Sequence, residues 1–231
     1  MQGEILFGTH CIGYEVKYSI RKTLGIKVCP SGEVIVLAPV DTLRQTIEER
    51  LHKRAAWIVR QQNYFKDLGT RSPEKRYVSG ESHYYLGRQF MLRVVEGKTN
   101  SVKYKGRYFE VVCRHRDQVK ELMKEWYREH AKIKFAEYAE PIITRFSRFG
   151  VEPSSLYIQE MANRWGSCTR QGKIILNTEL IKAPRPCIEY VITHEMCHLL
   201  HADHTKAFWT LLEQEMPDCH RWKEKLERFM I

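Results

Sequence analysis

Residues 187–204 read Cys187-Ile188-Glu189-Tyr190-Val191-Ile192-Thr193-His194-Glu195-Met196-Cys197-His198-Leu199-Leu200-His201-Ala202-Asp203-His204. Pro184 and Pro186 stand before it, and proline suits the first turn of a helix. Ile188, Val191, Ile192 and Leu199 recur at helical spacing, which predicts a helix from Cys187 to about His201. Within it, His194-Glu195-Met196-Cys197-His198 has the form H-E-x-x-H. Residues four apart lie one above the other on one helix face, so both imidazoles reach a single ion at the roughly 2.1 Å of a zinc–nitrogen bond. Glu195 follows the first ligand, where its carboxylate addresses a water beside the metal and acts as a base.

Four of the ten histidines fall between His194 and His204, a clustering that two incidental histidines on a helix do not explain. A catalytic zinc takes three protein ligands and keeps one open position. His201 lies beyond His198 on the same face, but about 10.5 Å along the axis from His194, awkward for one tetrahedral centre. His204 follows Ala202-Asp203, where the helix can end and the chain fold back over the ion, and geometry favours it. Glu213 and Glu215 are weaker alternatives. Asp203 is placed either to orient an imidazole or to cap the next helix.

The rest of the chain reads as α+β. Tyr14, Val16 and Tyr18 alternate, as do Ile26 and Val28, and a turn at Pro30-Ser31-Gly32 leads to Val34–Leu37 as a hairpin. Asp41 or Thr42 caps a helix to about Lys66, with Leu43, Ile47, Leu51, Ala55, Ile58 and Val59 inward and Arg44, Arg50, Lys53, Arg54 and Arg60 outward. A polar loop from Gly69 to Lys75 precedes more strands between Tyr77 and Val112. A long helical region from about Asp117 to Phe149 carries Leu122, Trp126, Ile133, Phe135 and Tyr138 on its apolar side, and Pro141 is expected to kink or divide it. Leu156–Ile158 and Lys173–Leu176 are short strands. Two regions are expected: residues 1–112, β-rich and basic with one long helix, and residues 113–231, which hold the histidines.

The 231 residues include 38 Lys and Arg against 28 Asp and Glu, a net charge of +10. The excess lies before residue 161, and a basic surface concentrates anionic partners, nucleic acid among them. No apolar run approaches the roughly 18 residues of a spanning helix, so no membrane partner is expected. The first residues lack the basic and apolar regions of a signal peptide. Seven scattered cysteines without a C-x-x-C point to free thiols in a reducing cytoplasm.

The chain resembles the YgjP-like metallopeptidases, relatives of the SprT-type zincins. The resemblance is carried by Arg164-Trp165-Gly166-Ser167-Cys168, by Gly172–Asn177, by Tyr190–Leu199, by Asp203–Trp209 and by Met216-Pro217-Asp218. Ala38-Pro39, Ala56-Trp57-Ile58 and Tyr85-Leu86-Gly87-Arg88 are compatible with it. It implies a zincin-like metallopeptidase domain with an H-E-x-x-H active-site helix, preceded by a β-rich region. It also implies one Zn2+ per chain on His194, His198 and His204, with Glu195 as general base and acid, and a strand near residues 164–168 or 173–177 that pairs with an extended substrate. Met196 stands where the family often has Leu, and leaves the ligands untouched.

The function expected is zinc-dependent hydrolysis of protein or peptide substrates. Arg164, Trp165, Asn177 and His201 are candidates for substrate contact. For Arg164 a loop-holding salt bridge is the favoured alternative, and for Trp165 a place in the core. Arg164, Tyr190 and His201 are candidate donors to the oxyanion, and Cys168 reads as an inert thiol. Two other functions remain open: a protease brought to DNA-bound proteins, by analogy with SprT-type relatives, and a non-catalytic nucleic-acid-binding module held by zinc.

Overall fold

The computed structural model describes residues 2–8, 10–29, 31–68, 75–162 and 164–229, apart from the Tyr64 side chain. The expected turn residue Pro30 and most of the polar loop (69–74) lie outside them. The chain forms two compact units that divide between residues 73 and 74. No helix among the described residues is long and apolar enough to cross a membrane, and all seven cysteines are free.

In the first unit β1 (Gln2–Phe7), β2 (His10–Tyr18), β3 (Gly25–Val28) and β4 (Val34–Ala38) form a sheet of order β1-β2-β4-β3. The expected β3–β4 hairpin is present, with Val28 opposite Val34. β1, which sequence reading missed, pairs antiparallel with β2. Val34, Val36 and Ala38 alternate inward and meet Ile47, Leu51, Ala55 and Ile58 of α1 (Arg44–Leu68). Leu43, expected on that inner face, precedes the helix and is exposed.

In the second unit β5 (Ser82–Tyr85), β6 (Arg88–Glu96), β7 (Ser101–Lys105) and β8 (Tyr108–Cys113) form a sheet of order β5-β6-β8-β7. The helix α2 (Val119–Phe146) packs Met123, Trp126, Tyr127, Ala131, Phe135, Tyr138, Ala139, Ile142 and Phe146 into the core. Ile133, expected there, is exposed, because it falls outside that stripe. Pro141 does not divide the helix. Tyr138 and Ala139 before it, and Ile142 and Phe146 after it, are all buried and hold both halves in register. Single-turn 3₁₀ segments flank α2, and Gly150 ends the run with φ +72°.

Next come β9 (Ser155–Gln159), β10 (Gly166–Cys168) and β11 (Lys173–Asn177), in order β10-β11-β9, then α3 (Arg185–Cys197), α4 (Lys206–Glu215) and α5 (Cys219–Phe229). The boundary expected at 112/113 is not where the chain divides. Phe90, Leu92, Phe109 and Val111 of the β5–β8 sheet share one core with Trp126 of α2 and Ile188 and Val191 of α3. The β5–β6 turn also supports the start of α3. The backbone N–H groups of Leu86 and Gly87 donate to the carbonyls of Ile181 and Lys182, each at 2.9 Å. Gly87 has φ +77°, and a Cβ there would lie 2.7 Å from Pro184. Only glycine meets both demands.

Candidate metal centre

The helix α3 ends at Cys197, one residue before the second histidine of H-E-x-x-H. His198 is its C-terminal cap, still right-handed helical with φ −68° and ψ −17°, so the i, i+4 alignment with His194 survives. The expected extension to His201 does not form. The N–H groups of Leu200 and His201 both bond to the Cys197 carbonyl, and the chain then turns away and brings His204 back.

The His194 and His198 ring centroids are 5.0 Å apart, and the His204 ring lies 4.9 Å and 4.7 Å from them. One nitrogen from each lies within 4.8 Å of the others. The Nε2 atoms of His194 and His204 are 3.0 Å apart, close to the roughly 3.3 Å between two ligands of a tetrahedral ion with bonds near 2.05 Å. His198 Nδ1 lies 3.0 Å from the His201 carbonyl oxygen. Donation there puts the ring proton on Nδ1 and leaves the Nε2 lone pair free, as a ligand requires. His201 therefore acts through its backbone, which sequence reading did not foresee.

Burial, then the neighbouring His198 and His204, push the His194 imidazole down to about 3. His204 is lowered by the same two kinds of cause. Both rings are therefore neutral near pH 7, the form that binds a cation, and the donor set fits a divalent ion such as Zn2+. Phe208, fully buried on α4, packs against all three rings at 4.7–4.9 Å. Its place four residues after His204 was the signal that could have found it. Neither expected role of Asp203 is present. α4 begins after Thr205 without a side-chain cap, and Asp203 acts on His204 through its charge alone.

Glu195 is 6% exposed. Burial raises its carboxyl to about 7, against the pull of the Cys168 N–H and the Arg164 charge. Gly166 lies directly on it: a Cβ there would come within 2.6 Å of Oε1 and 2.9 Å of Val191 Cγ1. The glycine of the RWGSC stretch thus lets β10 close over α3.

The remaining candidates separate. Asn177 is 2% exposed. Its amide donates to the Met161 and Arg164 carbonyls at 2.8 Å each, and its Oδ1 accepts the Glu179 N–H. With its side chain engaged this way, Asn177 holds the loop that carries Arg164 and Trp165 rather than facing a substrate. Trp165 packs against the core, and the exposed Arg164 contributes charge at Glu195. Tyr190 lies over His194 at 5.9 Å, and burial raises its phenol. The Cys168 thiol, also raised by burial, contacts the Thr169 carbonyl. Glu215 is engaged by Arg145 and Arg148, and Glu213 by His220, so neither joins the histidines.

The family described as "YgjP-like, metallopeptidase domain" matches residues 22–229. No curated protein matches the chain. Among solved structures, the metallopeptidase zymogen abylysin of Pyrococcus abyssi is similar at 21% identity and a TM-score of 0.34, over 40% of this chain and 91% of that one.

Proposed function

The chain belongs to the YgjP-like metallopeptidase domain family, and on that premise we propose that it is a zinc-dependent peptidase, with one Zn2+ per chain, that hydrolyses peptide bonds in protein or peptide substrates in the cytoplasm. The observation that carries the reading is the convergence of His194, His198 and His204 beside the buried carboxylate of Glu195. A site that only holds the fold has no use for that base.

When bound by the three histidines, the cation supplies a Lewis acid that acidifies a water and polarises a carbonyl. Glu195 takes the proton of the attacking water as the new C–O bond forms. It returns that proton to the departing amine nitrogen as the C–N bond breaks. Its raised carboxyl suits both directions of transfer near neutral pH.

The substrate's place is argued from β10. Trp165 and Thr169 pair with β11 through Asn177 N–H and Lys173 O. By strand alternation, the backbone groups of Gly166 and Cys168 then face away from β11. The Cys168 N–H is held by Glu195, and the other groups are presented to an extended peptide beside the base.

The test is Glu195→Gln with zinc content measured alongside turnover. Stoichiometric zinc with peptidase activity reduced about 10²- to 10⁴-fold is expected. Full activity in that variant refutes the assignment, and so does wild-type activity that survives complete chelation.

A second reading, recruitment by nucleic acid to protein substrates, is favoured by one observation. Residues 75–118 hold ten Lys and Arg against four Asp and Glu. Salt-sensitive DNA binding supports it, and no binding at low salt removes it.

A further inference from the structure

The sheet β5–β8 turns one face into the core. Phe90 and Leu92 of β6 and Phe109 and Val111 of β8 are buried there, in the core that also holds α3. The residues between them alternate to the opposite face, where strand pairing sets them in rows. One row runs Met91, Tyr108, Lys105, and the next runs Arg93, Glu110, Lys103. β6 and β8 are the two central strands, yet Tyr108 is 48% exposed and its neighbour Met91 40%. Val95, farther along β6 on the same face, is exposed as well. Contiguous apolar side chains left in water at the middle of a sheet mark a surface that meets a partner.

The charges around the ring say which partner. The Arg93 guanidinium lies 5.5 Å from the centroid of the Tyr108 ring. Glu110, the acid of that row, reaches Arg93 at 3.9 Å, and Lys103 on its other side forms no ion pair among the described residues. Lys105 beside Tyr108 and Arg107 in the β7–β8 turn are exposed and also unpaired among the described residues. An aromatic ring ringed by free cations suits a chain that alternates flat bases with phosphates. An acidic peptide would meet the cations and leave the ring in water. A duplex keeps its bases stacked inside, whereas an unpaired base offers a free face to Tyr108. Met91 and Val95 give the sugars an apolar floor, which suits deoxyribose better than a ribose with its added hydroxyl.

We propose that the outer face of this sheet binds single-stranded DNA, with a base stacked on Tyr108 and the backbone held by Arg93, Lys103, Lys105 and Arg107. The proposal rests on the reading of recruitment by nucleic acid and gives that reading a surface and a strand type. Because the sheet and α3 share one core, DNA held there stays on the same body as the three histidines.

The test is fluorescence anisotropy of the full chain with labelled oligo-dT of about 20 nucleotides, a duplex and an oligo-rU of the same length, and polyglutamate as competitor. Oligo-dT is expected to bind about 5- to 100-fold more tightly than the duplex, the factor that one stacked base contributes. Tyr108→Ala is expected to remove that margin and Tyr108→Phe to keep it. Lys103→Gln with Lys105→Gln is expected to flatten the dependence of log affinity on log salt by about 1.4, from about 0.7 for each phosphate contact on a single strand. Tyr157→Ala, which removes an exposed ring on β9, is expected to change nothing. Equal or tighter binding of duplex, tighter binding of oligo-rU, effective competition by polyglutamate, or a margin unchanged in Tyr108→Ala overturns the proposal and leaves recruitment by nucleic acid standing. Absence of all nucleic-acid binding at low salt removes that reading and the proposal with it.

Discussion

Gly166 and Glu195 lie so close that a methyl group on Gly166 would come within 2.6 Å of the Glu195 carboxylate oxygen and 2.8 Å of its Cγ. The contact joins a strand to the site helix across 29 residues of chain, and the adjacent Cys168 N–H completes it. The carboxylate proposed as the base is thereby held by the strand proposed to carry the substrate.

Gly166→Ala must therefore displace either β10 or the carboxylate. Overpacking of this kind costs about 1–3 kcal/mol. Peptidase activity is expected to fall at least about tenfold, the factor that 1.4 kcal/mol of misplacement represents. Zinc content should stay at one per chain, since the atoms that a Cβ at Gly166 would meet first belong to Glu195 and Val191 rather than to a histidine. Kinetics, thermal melting and elemental analysis on one preparation separate the three effects.

The two histidines after the motif should behave differently. His204→Ala removes a ring that lies 4.7–4.9 Å from both its partners. It should weaken zinc binding by more than the about 10- to 100-fold that loss of an orienting partner costs. His201→Ala keeps the carbonyl that faces His198 Nδ1, so its zinc affinity should remain near that of the parent. Competition titration against a chromogenic chelator checks both; equal losses would remove His204 as the third ligand.

Glu215 tests the link between α4 and α2. Its side chain is 1% exposed, and it pairs with Arg145 at 2.9 Å and also with Arg148. Glu215→Gln leaves two guanidinium groups without their counter-charge. Because both arginines are about half exposed, water screens them, and the loss should be about 1–3 kcal/mol rather than the 3–5 of a fully buried pair. Urea denaturation measures it.

His83 gives the fold a pH dependence that is independent of the metal centre. It is 4% exposed, and its Nε2 lies 3.2 Å from Glu81. Burial holds the imidazole below its ordinary value, with Glu81 opposing the shift only in part. The unfolded chain therefore takes up the proton first as pH falls. This contribution is complete above about pH 6.5 and is lost as pH drops from there through the folded value. The melting temperature should fall between pH 7.5 and 5.5, and by less in His83→Gln. Equal falls in the two proteins would show that His83 is not the source.

Several features were legible because they are local. The i, i+4 pair of His194 and His198 needs only helical backbone, and His204 follows from a helix end a few residues later. Val34, Val36 and Ala38 announce a strand by alternation, and Ile47, Leu51, Ala55 and Ile58 announce a helix face. Pro141 does not divide α2, because proline reports a lost backbone bond and says nothing of the buried neighbours that keep the helix continuous. The 112/113 boundary misled because strand-rich and helix-rich stretches need not be separate cores. Asn177 shows the same limit: its type suggests a substrate contact, whereas its partners Met161, Arg164 and Glu179 are known only once the loop has folded around it.

From the residues alone came the α+β class, the two histidines and the glutamate of the motif, and His204 over His201, since helical pitch and ligand count act over a few residues. Tertiary structure decided that His201 works through its carbonyl, that Gly166 packs on the Glu195 carboxylate, and that Glu215 belongs to two arginines. Those relationships are set by which surfaces meet when distant segments bury their apolar faces together, and no local periodicity encodes that choice.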